Sequence, residues 1–341
     1  MKILYSIQGT GNGHISRAAS IYPYLIQYGE VDYLISGNNH SLQTPFEIKY
    51  RLSGVSFQYN HRGGIDYLAT LRQLNMVKFL GEIDKLPVEN YDLVINDFEP
   101  ISARAAMRKS IPCIAMSHQA SFLSAKTPLL SGSRDFLAIN ILKKFAPAHD
   151  RIGFHFDRYD DFIYTPVIKD LIRHATPVTK DHITVYLPSF SLFYIRNIFS
   201  TLTNIPFEIF HPEVSEAIRF KNITFLPVSQ DGFNQSLISC SGVISNAGFE
   251  IPSEAFFLGK AMLLIPVRGQ YEQACNAAAA ERLGARVIYK AGENFRKQIL
   301  EWIDSRRAVR LDFPFHYREF LDDCFEKADR IRSVLKVPVR H

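Results

Sequence analysis

The chain is poor in the residues that exported, metal-stapled or membrane-spanning folds depend on. It has 4 cysteines and 1 tryptophan in 341 residues. Cys113, Cys240, Cys275 and Cys324 are scattered, with no Cys-x-x-Cys pair. That spacing argues against a disulfide framework and a structural zinc site, and predicts buried free thiols in a reducing compartment. No apolar run reaches the ~20 residues a membrane-crossing helix needs. The opening MKILYSIQGTG carries one basic residue and soon turns polar and glycine-rich, which reads as a first strand and not a signal peptide. The expectation is a soluble, cytoplasmic protein, at most peripheral to the inner face of a membrane. Basic clusters stop at pairs such as Lys143-Lys144 and Arg306-Arg307, and the net charge is +5. This balance favours anionic ligands without indicating nucleic acid. No Asp-x-Asp pair and no Gly-Lys-Ser/Thr loop occurs. No metal site and no cofactor are therefore expected, and a Walker A phosphate loop is excluded.

What is present is an ordinary globular composition, 47% hydrophobic and 21% charged, at a length that suggests two domains. Short apolar runs alternate with helical stretches. Ile3–Ile7, Val31–Ser36, Tyr91–Asn96 and Pro112–Met116 read as strands. A helix from about Ile15 places Ile15, Ala18, Ala19, Tyr22 and Ile26 on one face, and Pro23 should kink or shorten it. The pattern lapses between about Thr165 and Lys180, then resumes with runs at 183–187, 207–210, 223–226, 242–245 and 261–266. Continuous apolar strands separated by helices predict an α/β fold with parallel sheets covered on both faces. The expected units are residues 1–167 and 178–317, two doubly wound Rossmann-like domains. A charged amphipathic helix at 318–338 should pack back on the first.

Two places carry chemistry. Gly9-Thr10-Gly11-Asn12-Gly13-His14 follows the first strand. Glycines allow a sharp turn and close approach to a ligand, and the next helix offers free N–H groups. A dinucleotide fingerprint would need glycine where His14 stands, and an acidic residue where Ser36-Gly37 closes the second strand. His14 at that turn suits a general base near neutral pH. The second place runs from Ser245 to Ala285. Asn246-Ala247-Gly248 enters a helix whose N-terminus can hold a diphosphate. Glu254, one turn in, can accept both hydroxyl protons of a ribose. Gln270 lies in the polar loop that follows, and Gln273 and Asn276 share a helical face suited to sugar hydroxyls. On the acceptor side, Asp97, His118 and Gln119 stand at carboxyl strand ends, where α/β folds bind ligands. The stretch Phe122–Ala146 interleaves apolar residues with Lys126, Arg134, Lys143 and Lys144. It suits either packing on its own domain or contact with a membrane surface bearing a lipid acceptor.

These residues together resemble family 28-type glycosyltransferases, the group of the peptidoglycan GlcNAc transferase and the plant galactolipid synthases. The shared pattern is Gly9 to His14 near the start, then Ser253-Glu254-Ala255, Ile265-Pro266, Glu272-Gln273, Asn276-Ala277 and Gly284-Ala285. Pro188-Ser189-Phe190 replaces the family's Gly-Gly-Ser, and Glu272 replaces the first glutamine of its pair. The resemblance implies a GT-B fold and an inverting transfer, and the missing Asp-x-Asp motif predicts that it is metal-independent. The donor would be a nucleotide sugar, UDP-linked, used as substrate. The acceptor, whether lipid, glycan or small molecule, stays open. His14 would be the base, Glu254 the ribose ligand, and Gly11, Asn12, Gly13, Asn246, Ala247, Gly248, Gln270, Gln273 and Asn276 would line the donor. A nucleotide-sugar epimerase and a non-catalytic nucleotide-sugar-binding protein on the same fold are the alternatives.

Overall fold

The structure is a computed structural model that describes residues 1–39, 44–54, 75–130, 136–202 and 204–335. Arg134 and the end of the expected closing helix, 336–338, lie outside the described residues.

The first half contains β1 (Lys2–Thr10), α1 (Gly13–Leu25), β2 (Glu30–Asn39), β3 (Ile48–Leu52), α2 (Met76–Lys85), β4 (Leu93–Asp97), α3 (Pro100–Arg108), β5 (Cys113–Ser117), α4 (His118–Ser121), α5 (Phe136–Phe145), β6 (Asp150–Phe154) and β7 (Ile163–Tyr164). Its seven strands lie in the order β3-β2-β1-β4-β5-β6-β7, all parallel. Side-chain alternation explains why the central runs are apolar throughout. Leu4, Leu34 and Val94 pack on one face with Phe79 and Ile83. Ile3, Tyr5, Ile7 and Ile95 pack on the other with Ile15, Ala18 and Ile21 of α1. Pro23 sits inside α1, which stops two residues later, as expected where a proline removes a helical hydrogen bond.

A connection containing α6 (Asp170–Arg173) leads to the second half. There follow β8 (Ile183–Tyr186), α7 (Leu192–Phe199), β9 (Phe207–Phe210), β10 (Ile218–Phe220), β11 (Ile223–Leu226), α8 (Gln230–Ser239), β12 (Gly242–Ser245), α9 (Glu250–Leu258), β13 (Ala261–Leu264), α10 (Tyr271–Arg282), β14 (Arg286–Val287), α11 (Phe295–Ser305) and α12 (Tyr317–Leu335). The sheet order is β10-β11-β9-β8-β12-β13-β14, with only β10 antiparallel. The single tryptophan, Trp302, is buried against Gly242 of β12, where an added Cβ would sit 3.0 Å from its ring.

Helix α12 contacts α1, β5 and β6 of the first sheet. It inserts Phe320, Leu321, Cys324 and Ala328 into a core that also takes Phe249 and Phe256 from α9 and its entrance. The two sheets thus share one apolar seam, in which each fully buried large apolar side chain contributes roughly 1.5–3 kcal/mol. All four cysteines are free and buried, and burial pushes the Cys113 thiol up to about 12, far from a reactive thiolate.

Candidate active site

In each sheet the chain reverses its direction of growth between two neighbouring strands, and a crevice opens beyond their carboxyl ends. In the first sheet these strands are β1 and β4, and in the second β8 and β12. Residues 11–14 and Asp97 occupy the first crevice, Tyr186 and Asn246–Gly248 the second. The crevices face each other. Asn12 Nδ2 donates to the Tyr186 hydroxyl at 3.2 Å, and a Cβ on Gly13 would lie 3.4 Å from Cγ of Glu250. Gly11 makes the turn possible, because its φ of 84° is a region that side chains disfavour.

His14 lies in the first turn of α1, and Asp97 ends β4. Nδ1 of His14 is 2.7 Å from Oδ1 of Asp97. A carboxylate there fixes the imidazole with its proton on Nδ1 and leaves Nε2 as a lone pair. Nε2 faces Gln119, whose Nε2 is 3.5 Å away. Asp97, expected on the acceptor side, is instead fully buried behind His14. Arg17, one turn further along α1, reaches the same carboxylate through Nε at 3.0 Å and a terminal nitrogen at 2.7 Å. Burial opposes ionisation of Asp97, but Arg17 and His14 overcome it and hold its carboxyl below the usual range. Arg17 also pairs with Glu250, the first residue of α9. Burial pushes the Glu250 carboxyl up to about 7, with Arg17 pulling the other way and Glu254 adding to the rise.

His118, likewise expected on the acceptor side, is 1% exposed and joins the halves. Its Nδ1 meets the Phe154 carbonyl at 2.7 Å and its Nε2 meets Oδ1 of Asn276 at 2.7 Å. Its ring stacks on Phe249 at 3.9 Å. Burial lowers His118 below the ordinary histidine range. Gln119 donates to Glu272 at 3.0 Å, while its carbonyl oxygen is buried without a hydrogen-bond partner. Gln119 also lines a cavity of about 300 Å³ in the first half, shared with Phe98, Leu123, Leu142, Lys143 and Arg151. Phe98 adopts a φ of 57°, an unfavourable conformation for a bulky residue, directly after Asp97. Leu142 and Lys143 of the apolar–basic stretch thus line the cavity, and Phe122 is buried. No helix among the described residues is long and apolar enough to cross a membrane.

The expected donor residues divide into two groups. Asn246, Gln273 and Asn276 spend their amides on structure. Asn246 bonds the Ile265 carbonyl and accepts from Ser189, Gln273 accepts from the Val267 N–H, and Asn276 donates to the Ala247 carbonyl. Glu254 is 1% exposed and ion-paired with Lys169 at 2.8 Å, so its carboxylate faces the connection between the halves in this arrangement. The other group stays available. Gly248 has open space where a side chain would begin, and Gln270 keeps a buried carbonyl oxygen without a hydrogen-bond partner. Sequence reasoning missed Arg17, Tyr186 and Glu250. For Arg17 a signal existed: it stands three residues after His14, on the same helical face. Glu250 and Tyr186 gave none, since their partners lie in the other half.

With this geometry in place, comparison with known proteins decides the class. The family model described as glycosyl transferase family 1 matches residues 1–303. The chain belongs to that glycosyltransferase family. The fold is GT-B. Os79 from O. sativa, solved in complex with UDP, is 13% identical with a TM-score of 0.57, over 98% of this chain and 95% of that one. Arabidopsis thaliana UGT89C1, complexed with UDP-L-rhamnose, is 12% identical with a TM-score of 0.54, over 98% of both chains. Acinetobacter baumannii MurG, of the family 28 type that the motifs resemble, is 14% identical with a TM-score of 0.50, again over 98% of both chains. At such identities the likeness establishes the fold of this glycosyltransferase and nothing finer. No curated protein matches the chain.

Proposed function

We propose that this glycosyltransferase moves a sugar from a UDP-linked donor to an acceptor hydroxyl with inversion, using His14 as general base. The observation that carries the reading is the 2.7 Å contact from His14 Nδ1 to Asp97, which leaves Nε2 open toward Gln119 in the cleft between the halves. The acceptor hydroxyl gives its proton to Nε2 as its oxygen attacks the anomeric carbon, and Asp97 stabilises the imidazolium that forms. The departing diphosphate gains charge, which the N–H groups entering α9 at Gly248 and Phe249 offset. That offset, with the lack of an Asp-x-Asp motif, supports a metal-independent step. Gln270 supplies a carbonyl oxygen to a donor hydroxyl. The free oxygen of Gln119, at the border of the cavity under α5, receives the acceptor.

A thermal-shift screen over nucleotides and UDP-sugars tests the donor assignment, since a ligand bound only to the folded state raises the unfolding temperature. UDP-sugars should stabilise the chain more than ADP- or GDP-sugars do. With a stabilising donor and an acceptor panel, His14→Ala should lower turnover by roughly 10²–10⁴-fold. Near-normal turnover in that variant would remove His14 as base. An epimerised sugar released from donor alone would replace transfer with epimerisation.

A further inference from the structure

Three charged groups lie in a row behind His14: Asp97 at the end of β4, Arg17 on α1 and Glu250 at the start of α9. The first two belong to the first half and the third to the second. Their side chains are 0%, 3% and 11% exposed. In surroundings of such low polarity, charges act strongly on one another.

The arrangement poses an electrostatic problem. Arg17 binds both oxygens of Asp97, and His14 shares one of them. A cation held that close cancels most of the field that Asp97 exerts on the imidazole. With Arg17 and Asp97 alone, the dyad would be flanked by a net charge near zero, and proton uptake by His14 would gain little from its carboxylate. When ionised, Glu250, bound to the far side of Arg17, restores a net negative charge to the row. We infer that Glu250 is a positioning residue for transfer: it offsets Arg17 from across the cleft, so that Asp97 supports protonation of His14 only when the two halves are closed together. The second half thereby contributes to the base as well as to the donor site.

Around the row, Tyr5 of β1 faces Asp97 and Arg17, and His118 faces Arg17. Glu250 faces Arg17 and Asp97 from the first half, Glu254 from its own helix, Lys169 from the connection and Tyr317 from α12. Lys169 is itself paired with Glu254, which leaves Arg17 as the direct partner of Glu250. His14 faces Asp97, Arg17 and Gln119, the last of which is tied to Glu272. The raised carboxyl of Glu250, near 7, lets its charge change within the physiological range.

The inference rests on His14 as the base, and its test is separate from turnover. Histidine-labelled full-length chain is titrated by NMR, with the His14 signal assigned by its loss in His14→Gln. Glu250→Gln keeps the hydrogen bond to Arg17 and removes the charge, so the His14 midpoint should fall by roughly half to one pH unit. Arg17→Met should raise it, and the double variant should return it close to wild type, the signature of two opposed charges in one network. An unmoved midpoint in folded Glu250→Gln overturns the proposal while leaving His14 as base. The wild-type chain gives an independent measurement. The ¹³C carboxyl signal of Glu250 should report an ionised group at pH 8, and a carboxyl still protonated at pH 9 removes the offsetting charge and the proposal with it.

Discussion

The two halves have nearly the same sheet, yet they serve the cleft differently. The first half brings side chains: His14, Asp97 and Arg17 converge at the ends of β1 and β4. The second half brings an open helix entrance and two side chains, Gln270 and Glu250. Its conspicuous amides, Asn246, Gln273 and Asn276, hold the loops around β12 and β13 in place, while Gly248 stands open at the helix entrance. Proton transfer needs a titratable group at one point, whereas a diphosphate needs several N–H donors in fixed positions. Variants in the first half should therefore cost rate, and variants in the second, Glu250 apart, should cost stability or donor affinity.

The sharpest break of that comparison is Asp97→Asn. An amide in place of the carboxylate keeps the shape but no longer stabilises the imidazolium, so turnover should fall by about 10²–10⁴-fold with donor affinity little changed, read from kcat and KM separately. A drop in donor affinity alone would place Asp97 in binding. In the second half, Asn276→Ala leaves the Ala247 carbonyl and one His118 nitrogen buried without partners, and should cost about 2–3 kcal/mol in urea unfolding. If stability holds and donor binding collapses, Asn276 is a donor ligand and the division fails on that residue. Gln270→Ala should weaken donor binding by roughly tenfold, or about 1.4 kcal/mol by calorimetry, with the unfolding midpoint unchanged.

The smallest expected effect concerns pH, and its sign separates histidines from Glu250. Burial holds His118 and His155 below the ordinary 6.5, and His316 down to about 4. Their folded forms bind protons less readily than the unfolded chain does. The stability they contribute is present above 6.5 and is lost as pH falls through that value. Glu250 acts oppositely: its carboxyl lies at about 7 against an ordinary 4.5, so its contribution is present below 4.5 and is lost as pH rises toward 7. The histidines outnumber it, and the chain should lose stability between pH 7 and 5.5. His155→Phe should reduce that loss by about 1 kcal/mol. An unchanged loss would mean that His155 takes up its proton in the folded chain.

Much of the architecture was legible because it rests on local rules. The run Gly242–Ser245 is apolar enough to be a strand covered on both faces, and Gly259, with φ of 65°, closes the helix that follows. Gly11 to His14 announced a sharp turn at the strand end for the same kind of reason. Short edge strands such as β7 and β14 were not legible, since two residues carry no period. Within the site, the strand-end position of Asp97 was legible, and its contact with His14 was not. Nothing local says whether a carboxylate at a strand end faces substrate or a histidine 83 residues away.

The sequence alone determined the fold class, the two glycine-bordered turns and the presence of His14 at one of them, because hydrophobic period and turn chemistry act over a few residues. Tertiary structure decided which groups meet in the cleft. Burial and the approach of the two halves set the charge on Asp97 and Glu250, assigned Arg17 to both, and used His118 and Asn276 to join the sheets. Those outcomes depend on distances between residues far apart in the chain, and electrostatic coupling is fixed by distance and burial, not by order along the sequence.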